Sequence, residues 1–252
     1  MYMRFLRLSV KPNVEIQFQQ FYKTIVINEI QKMDGCRLAV LIKNSNEEGQ
    51  FISLTLWDEK HQAEFYEKSK VFAILSDQSK HFLFGSNEWK VQLSEDLQLE
   101  YKSVSDKPVK KDYIVAAISN SNIVHKENSP EMYVRIVSAK IQEGKTSEFK
   151  DLYSTEIIPI LRATTGCHSA YLSESMNHKN EFLSITIWDD KSSADEYEAS
   201  GQFDKLVAKV KHTFSQFYLW KVALEQESND KIQTSDDLKI DHYTMVTGKS
   251  FN

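Results

Sequence analysis

Sliding the chain along itself by 131 residues lays 1–93 over 132–224 without a gap, and 30 of the 93 pairs are identical. Self-similarity at a fixed offset over that length means that one structural unit is built twice, so any fold proposed for one half must serve the other. A chain of 252 residues divides naturally into two domains of about 100 residues each. The expected organisation is a first domain at 1–104, a polar linker at 105–130 carrying an added strand near 112–119, and a second domain at 131–252 that ends in a C-terminal arm. The arm is expected because Asp96-Leu97-Gln98-Leu99 resembles Asp237-Leu238-Lys239-Ile240.

Each copy reads as β-α-β-β-α-α-β. The first strand, 2–10 and 133–141, alternates, with Tyr2, Arg4, Leu6, Leu8 and Val10 on its more apolar face. Val14, Phe18, Phe21, Tyr22, Ile25 and Val26 then recur at helical spacing, matched by Phe149, Leu152, Tyr153 and Ile157. Pro159 is expected to kink or end the second version of this helix. Gly35-Cys36 and Gly166-Cys167 stand where that helix stops and a strand begins, a place that favours a left-handed residue. In the third strand Phe51, Ser53, Thr55 and Trp57 recur unchanged as Phe182, Ser184, Thr186 and Trp188. The alternate positions Ile52, Leu54 and Leu56 become Leu183, Ile185 and Ile187. Strand side chains alternate between faces, so the interchangeable aliphatic set is expected under the helices and the unchanged set where two sheets meet. Asp58 and Asp189 are expected to cap the following helices.

The remaining composition mainly excludes. Net charge is −5 with Lys and Arg scattered, which recruits no phosphate backbone, so nucleic acid is not an expected partner. No apolar run approaches the ~20 residues of a membrane span, and the N-terminus lacks the apolar centre of a secretory leader, so a cytoplasmic protein with no membrane partner is expected. Cys36 and Cys167 have no ligand-like spacing and read as reduced, buried thiols. GxGxxG, P-loop, GxSxG and HExxH motifs are absent.

The order of elements, the Gly-Cys after the first helix, and the run T-[LI]-W-D-x-K-x-x-A-x-x-Y-E-x-S-x-x-F at 55–72 and 186–203 resemble the antibiotic biosynthesis monooxygenase domain. That resemblance implies an α+β fold: two tandem ferredoxin-like domains with antiparallel sheets, packed as an intramolecular dimeric α+β barrel, with a ligand cavity between sheet and helices in each domain. It also implies two chemistries, cofactor-free oxygenation of quinols or polycyclic phenols and degradation of haem. Haem degraders of the family carry Asn, Trp and His at positions matched here by Leu6, Tyr66 and Ser76, and by Val137, Tyr197 and Val207. With no His there is no evident axial ligand, so haem degradation is not expected, and neither a metal nor another cofactor is.

Cofactor-free oxygenation needs a substrate anion, a base and a cavity that excludes water. His81 and His212 are the only histidines present in both copies and are candidate catalytic bases, although a Lys-His pair at a helix end also suits a solvated terminus. Tyr66 and Tyr197 lie on the helical segment that walls the cavity in the resembled fold and are candidate catalytic phenols, with core packing as the alternative. Arg4 and Arg135 share the apolar face of the first strand, where each must find a carboxylate, solvent or a ligand anion, and are candidate substrate-binding residues. The four tryptophans read as packing. The functional expectation is a cofactor-independent, monooxygenase-like enzyme acting on a small aromatic or quinol-type substrate. The alternative is a non-catalytic barrel that binds a small aromatic or apolar ligand. Pairing of the halves within the chain is expected, and further self-association stays open.

Overall fold

The computed structural model describes the backbone of residues 1–45, 47–84, 89–93, 99–103, 109–118, 132–215 and 238–251, with side chains described for 1–45, 47–84, 132–215, 245–249 and 251. In the first half, β1 (Tyr2–Ser9) leads through α1 (Glu15–Phe21) and α2 (Ile27–Ile30) to the hairpin β2 (Cys36–Asn44) and β3 (Gln50–Trp57). Next come α3 (Lys60–Lys68), α4 (Lys70–Ser79), β4 (Trp89–Leu93), β5 (Leu99–Ser103) and β6 (Val109–Ile118). The second half repeats the plan as β7 (Tyr133–Lys140), α5 (Thr146–Leu152), α6 (Ile158–Ala163), β8 (Cys167–Ser175), β9 (Glu181–Trp188), α7 (Lys191–Ala199), α8 (Gln202–Val210) and β10 (Leu238–Ser250).

Eight strands close into one antiparallel barrel in the order β1-β3-β2-β10-β7-β9-β8-β6. Each half is therefore a four-stranded ferredoxin-like sheet, β6-β1-β3-β2 or β10-β7-β9-β8. The trailing strand of each half also joins the sheet of the other. β6 pairs with β1 on one side, Tyr2 opposite Ile114, and with β8 on the other, Tyr113 opposite Ser175. β10 does the same between β7 and β2, with Leu238 opposite Ala139 and Tyr243 opposite Asn44. Closure leaves the barrel without an open edge. The stretch at 89–93, which ends the sequence repeat, pairs instead with 99–103 in a separate hairpin. Its counterpart at 220–224 lies outside the described residues. Strand β6 falls inside the segment read from sequence as a linker, where the added strand was expected. No described helix is long and apolar enough to cross a membrane.

Three cores result, and they invert the expected assignment of the β3 and β9 faces. Met3, Phe5, Ile52, Leu54, Leu56, Ile136, Ile185 and Ile187 fill the barrel interior, where the two sheets meet. Phe51 and Trp57 pack under the helices of the first half, as Phe182 and Trp188 do in the second. The unchanged hydroxyls on this face have fixed partners. Tyr22 Oη lies 2.7 Å from Ser53 Oγ, and Trp57 Nε1 donates to Thr55 Oγ1 at 2.9 Å. Tyr153–Ser184 and Trp188–Thr186 repeat both bonds at 2.6 and 2.8 Å. Specific hydrogen bonds tolerate little change, whereas Leu and Ile exchange cheaply in a core that needs only volume.

The first helix of each copy widens into one π turn, at Tyr22–Val26 and Tyr153–Ile157. Pro159 does not end the helix, which runs on to Ala163. The proline is the second residue of α6, directly after the π turn, and the first copy has the same π turn with Asn28 in that place. Gly35 and Gly166 do adopt left-handed backbone, φ +77° and +80°. The helix caps lie one residue later than expected: Glu59 makes a capping box with Gln62, and Asp190 accepts from the Ser193 N–H. Asp58 instead takes two bonds from Arg37, at 2.8 and 2.7 Å, and Asp189 pairs with His168. Cys36 and Cys167 are unpaired thiols, the first buried and the second partly so.

Candidate functional site

The second half contains a cavity of about 50 Å³ between sheet and helices. Strands β7 and β9 supply its floor with Arg135, Val137, Ala139, Phe182, Ser184 and Thr186. Helices α5, α6, α7 and α8 and the π turn supply the walls, among them Phe149, Tyr153, Tyr197, Phe203 and Val207. Among the described residues the polar groups that converge there are one guanidinium, two phenols and two hydroxyls in an otherwise apolar lining, the usual make-up of a small-molecule site.

Arg135 is its most unusual member, at 2% exposure. Nε donates to Glu198 Oε1 at 2.5 Å, and the guanidinium carbon lies 4.1 Å from the centre of the Phe203 ring. Nη2 is buried and has no hydrogen-bond partner among the described residues. A buried cationic donor left unpaired costs on the order of several kcal/mol, so this nitrogen is poised to receive an acceptor. Its counterpart Arg4 is differently engaged. Nη1 donates to the Ala63 carbonyl at 2.8 Å, while Nη2 lies 3.3 Å from both the Tyr2 hydroxyl and the Glu67 carboxylate.

Tyr197 is buried against Trp188, with ring centres 5.0 Å apart, and Tyr66 stacks on Trp57 at 5.5 Å. Burial pushes both phenols well above the usual tyrosine range, and does the same to Tyr153 and Tyr22. All four are therefore neutral hydrogen-bonding groups at physiological pH. Tyr197 also borders an outer groove of about 560 Å³ whose lining includes Pro159, Ala163, Ser193 and Gln202.

His81 and His212 are exposed at the ends of their helical segments. His212 Nε2 lies 2.8 Å from Glu148 Oε1, and His81 packs on Phe82 with ring centres 3.7 Å apart. Neither lines the cavity. The structure thus brings Arg135 and Tyr197 together and places the two histidines on the surface. It adds Tyr153, Ser184 and Thr186 to the lining and Glu198 as the carboxylate behind Arg135. Each of these four is identical in the other copy, as Tyr22, Ser53, Thr55 and Glu67, which was the available sequence signal.

Among the described residues no cluster of three or more His, Cys, Asp or Glu could hold a metal ion. The lining contains no His, Cys or Met among the described residues, and its tyrosines are held protonated by burial, so it offers haem iron no evident axial ligand.

The family model described as antibiotic biosynthesis monooxygenase matches residues 1–75 and again 132–209. The chain belongs to this family. Among solved structures, a presumed monooxygenase from Fusobacterium nucleatum superposes with a TM-score of 0.69 at 9% identity, covering 99% of this chain and 94% of that one. A presumed monooxygenase from Lactobacillus acidophilus gives 0.68 at 7%, with 99% and 95% covered. An anthrone oxidase-like protein gives 0.58 at 9%, with 99% and 92% covered. At such identities the likeness is one of fold, and it extends over both halves and the barrel that joins them. No curated protein sequence matches the chain.

Proposed function

We propose that the protein is a cofactor-independent, monooxygenase-like enzyme acting on a small aromatic or quinol-type substrate bound in the cavity of the second half. The observation that carries this reading is the buried Nη2 of Arg135, without a hydrogen-bond partner among the described residues, in a family member whose described lining is otherwise apolar, aromatic and hydroxyl-bearing. A phenol or anthrone can be taken to its quinone by one O2 with loss of one water, so the substrate supplies all the electrons. What the protein must do is favour the substrate anion and exclude water. Arg135 would receive the ring oxyanion, Phe203 and Tyr197 would flank the ring, and the Tyr153–Ser184 pair would hold the opposite wall.

A cavity that accepts benzene measures about 150 Å³, so an aromatic ring needs more room than the 50 Å³ present. Tyr197 stands between the cavity and the outer groove, and its displacement would join the two spaces and admit the ring.

The rival reading is binding without turnover. It is favoured by the absence of a histidine or carboxylate among the described lining residues, which leaves the substrate to ionise without a side-chain base among them. Oxygen uptake by metal-free protein with dihydroxynaphthalenes and anthrones separates the two. Consumption of one O2 per substrate, lost in Arg135→Met, supports the enzyme; saturable binding without uptake selects the rival; neither uptake nor binding removes both.

A further inference from the structure

Resting on that reading, we propose that the chain has one working site, in its second half, and that the matching space in the first half has been closed by its own side chains. The two halves share the scaffold of the site residue for residue: Phe18, Tyr22, Phe51, Ser53, Thr55 and Tyr66 recur as Phe149, Tyr153, Phe182, Ser184, Thr186 and Tyr197. The floor differs. Leu6 and Leu8 in β1 stand where β7 has Val137 and Ala139, so the second half lacks four carbons at that point. Leu8 is buried at 7% in the core under the first-half helices, and Leu6 packs against that core.

The helix end is aromatic in both halves, Phe82 at 5.7 Å from Phe18 and Phe214 at 6.2 Å from Phe149. Apart from Phe21, which packs at 5.3 Å from Phe82 and is replaced by Leu152 in the other copy, the closure therefore rests on the floor. The polar end is closed as well. Both terminal nitrogens of Arg4 have protein acceptors nearby, whereas Nη2 of Arg135 has none among the described residues. Removing carbons from a packed floor leaves space, since neighbours relax only in part. The duplication has thus yielded one half that packs and one that binds, and Ala139 is the residue that decides which.

The test uses the intact chain with 4-fluorophenol as probe, followed by 19F NMR and by the methyl resonances of both halves. The result expected is saturation at one equivalent, with shifts at Val137, Leu172 and Val210, and loss of binding in Ala139→Leu. Two equivalents, shifts centred on Leu6, Leu41 and Leu75, binding retained in Ala139→Leu, or no binding at all would each overturn the proposal. One saturable site without oxygen uptake leaves it standing and makes the protein a binder. Turnover that survives Ala139→Leu overturns the single site and leaves the oxygenase reading intact.

Discussion

Filling the cavity should stabilise the protein while it abolishes binding, and Ala139→Leu is the substitution that shows it. The void measures about 50 Å³. At ~24 cal/mol per Å³ its removal is worth about 1.2 kcal/mol, and burying three more carbons adds up to ~2.4 kcal/mol at ~0.8 per methylene. Ordering the new side chain takes back about 0.5–1 kcal/mol, and imperfect fit roughly another 1. The expected net gain is about 1–2 kcal/mol, or a rise in Tm of ~2–8 °C for a chain of this size. A leucine fits the local backbone without strain, because Leu8 occupies the matching position of β1 in the other half and is buried there. The assay is urea unfolding followed by tryptophan fluorescence and, in parallel, calorimetry. A loss of more than about 1 kcal/mol, with an unchanged denaturant slope, would refute the reasoning, since it would mean that the space beside Ala139 is already full. The reverse change, Leu8→Ala, should cost ~2–5 kcal/mol.

Tyr153→Phe should leave the partly buried Ser184 hydroxyl without its 2.6 Å partner and cost about 1 kcal/mol; Tyr153→Phe with Ser184→Ala should recover part of that loss in the same unfolding assay, and no recovery would mean that the bond is not the source. The thiols of Cys36 and Cys167 are both pushed up to about 12 by burial, so neither should react with a disulfide reagent at pH 8 until urea unfolds the chain; fast labelling of the folded protein would show that they are open. Asp58 is held below the usual carboxylate range by its bonds to Arg37. An acid depressed on folding stabilises above its unfolded pKa of ~3.9 and loses that contribution as pH falls through the folded value. The contribution is small for so exposed a pair. Arg37→Ala should therefore raise the Asp58 midpoint in a carboxyl NMR titration and change stability little above pH 5, and an unmoved midpoint would deny the pair.

How much of this was legible before folding depended on whether a residue's role is local. Gly35 and Gly166 could be read because a left-handed turn between helix and strand is a property of a few residues. The trailing barrel strands were only half legible: a strand near 112–119 was expected and β6 lies there, but β6 and β10 fall beyond the repeat of 1–93 and 132–224. Strand pairing runs through the backbone and leaves little side-chain signature. The faces of β3 were misread because a barrel strand covered by helices is buried on both sides, so alternation does not say which side is which. Invariance then tracked the hydroxyls paired with Tyr22 and Trp57 and not the contact between sheets. Glu67 and Glu198 were visible as identities, yet their pairing with Arg4 and Arg135 spans 63 residues and exists only once helix and strand are packed.

A crystal of the intact chain grown with 4-bromophenol tests, through the anomalous signal of bromine, the single oxyanion-accepting site proposed under the helices of the second half. One bromine position per chain is expected, in the cavity lined by Val137, Ala139 and Phe203, with the phenol oxygen within hydrogen-bond distance of Arg135 Nη2. Bromine beside Leu8, inside the barrel between Met3 and Ile187, or in the second-half cavity with its oxygen turned away from Arg135, would contradict it.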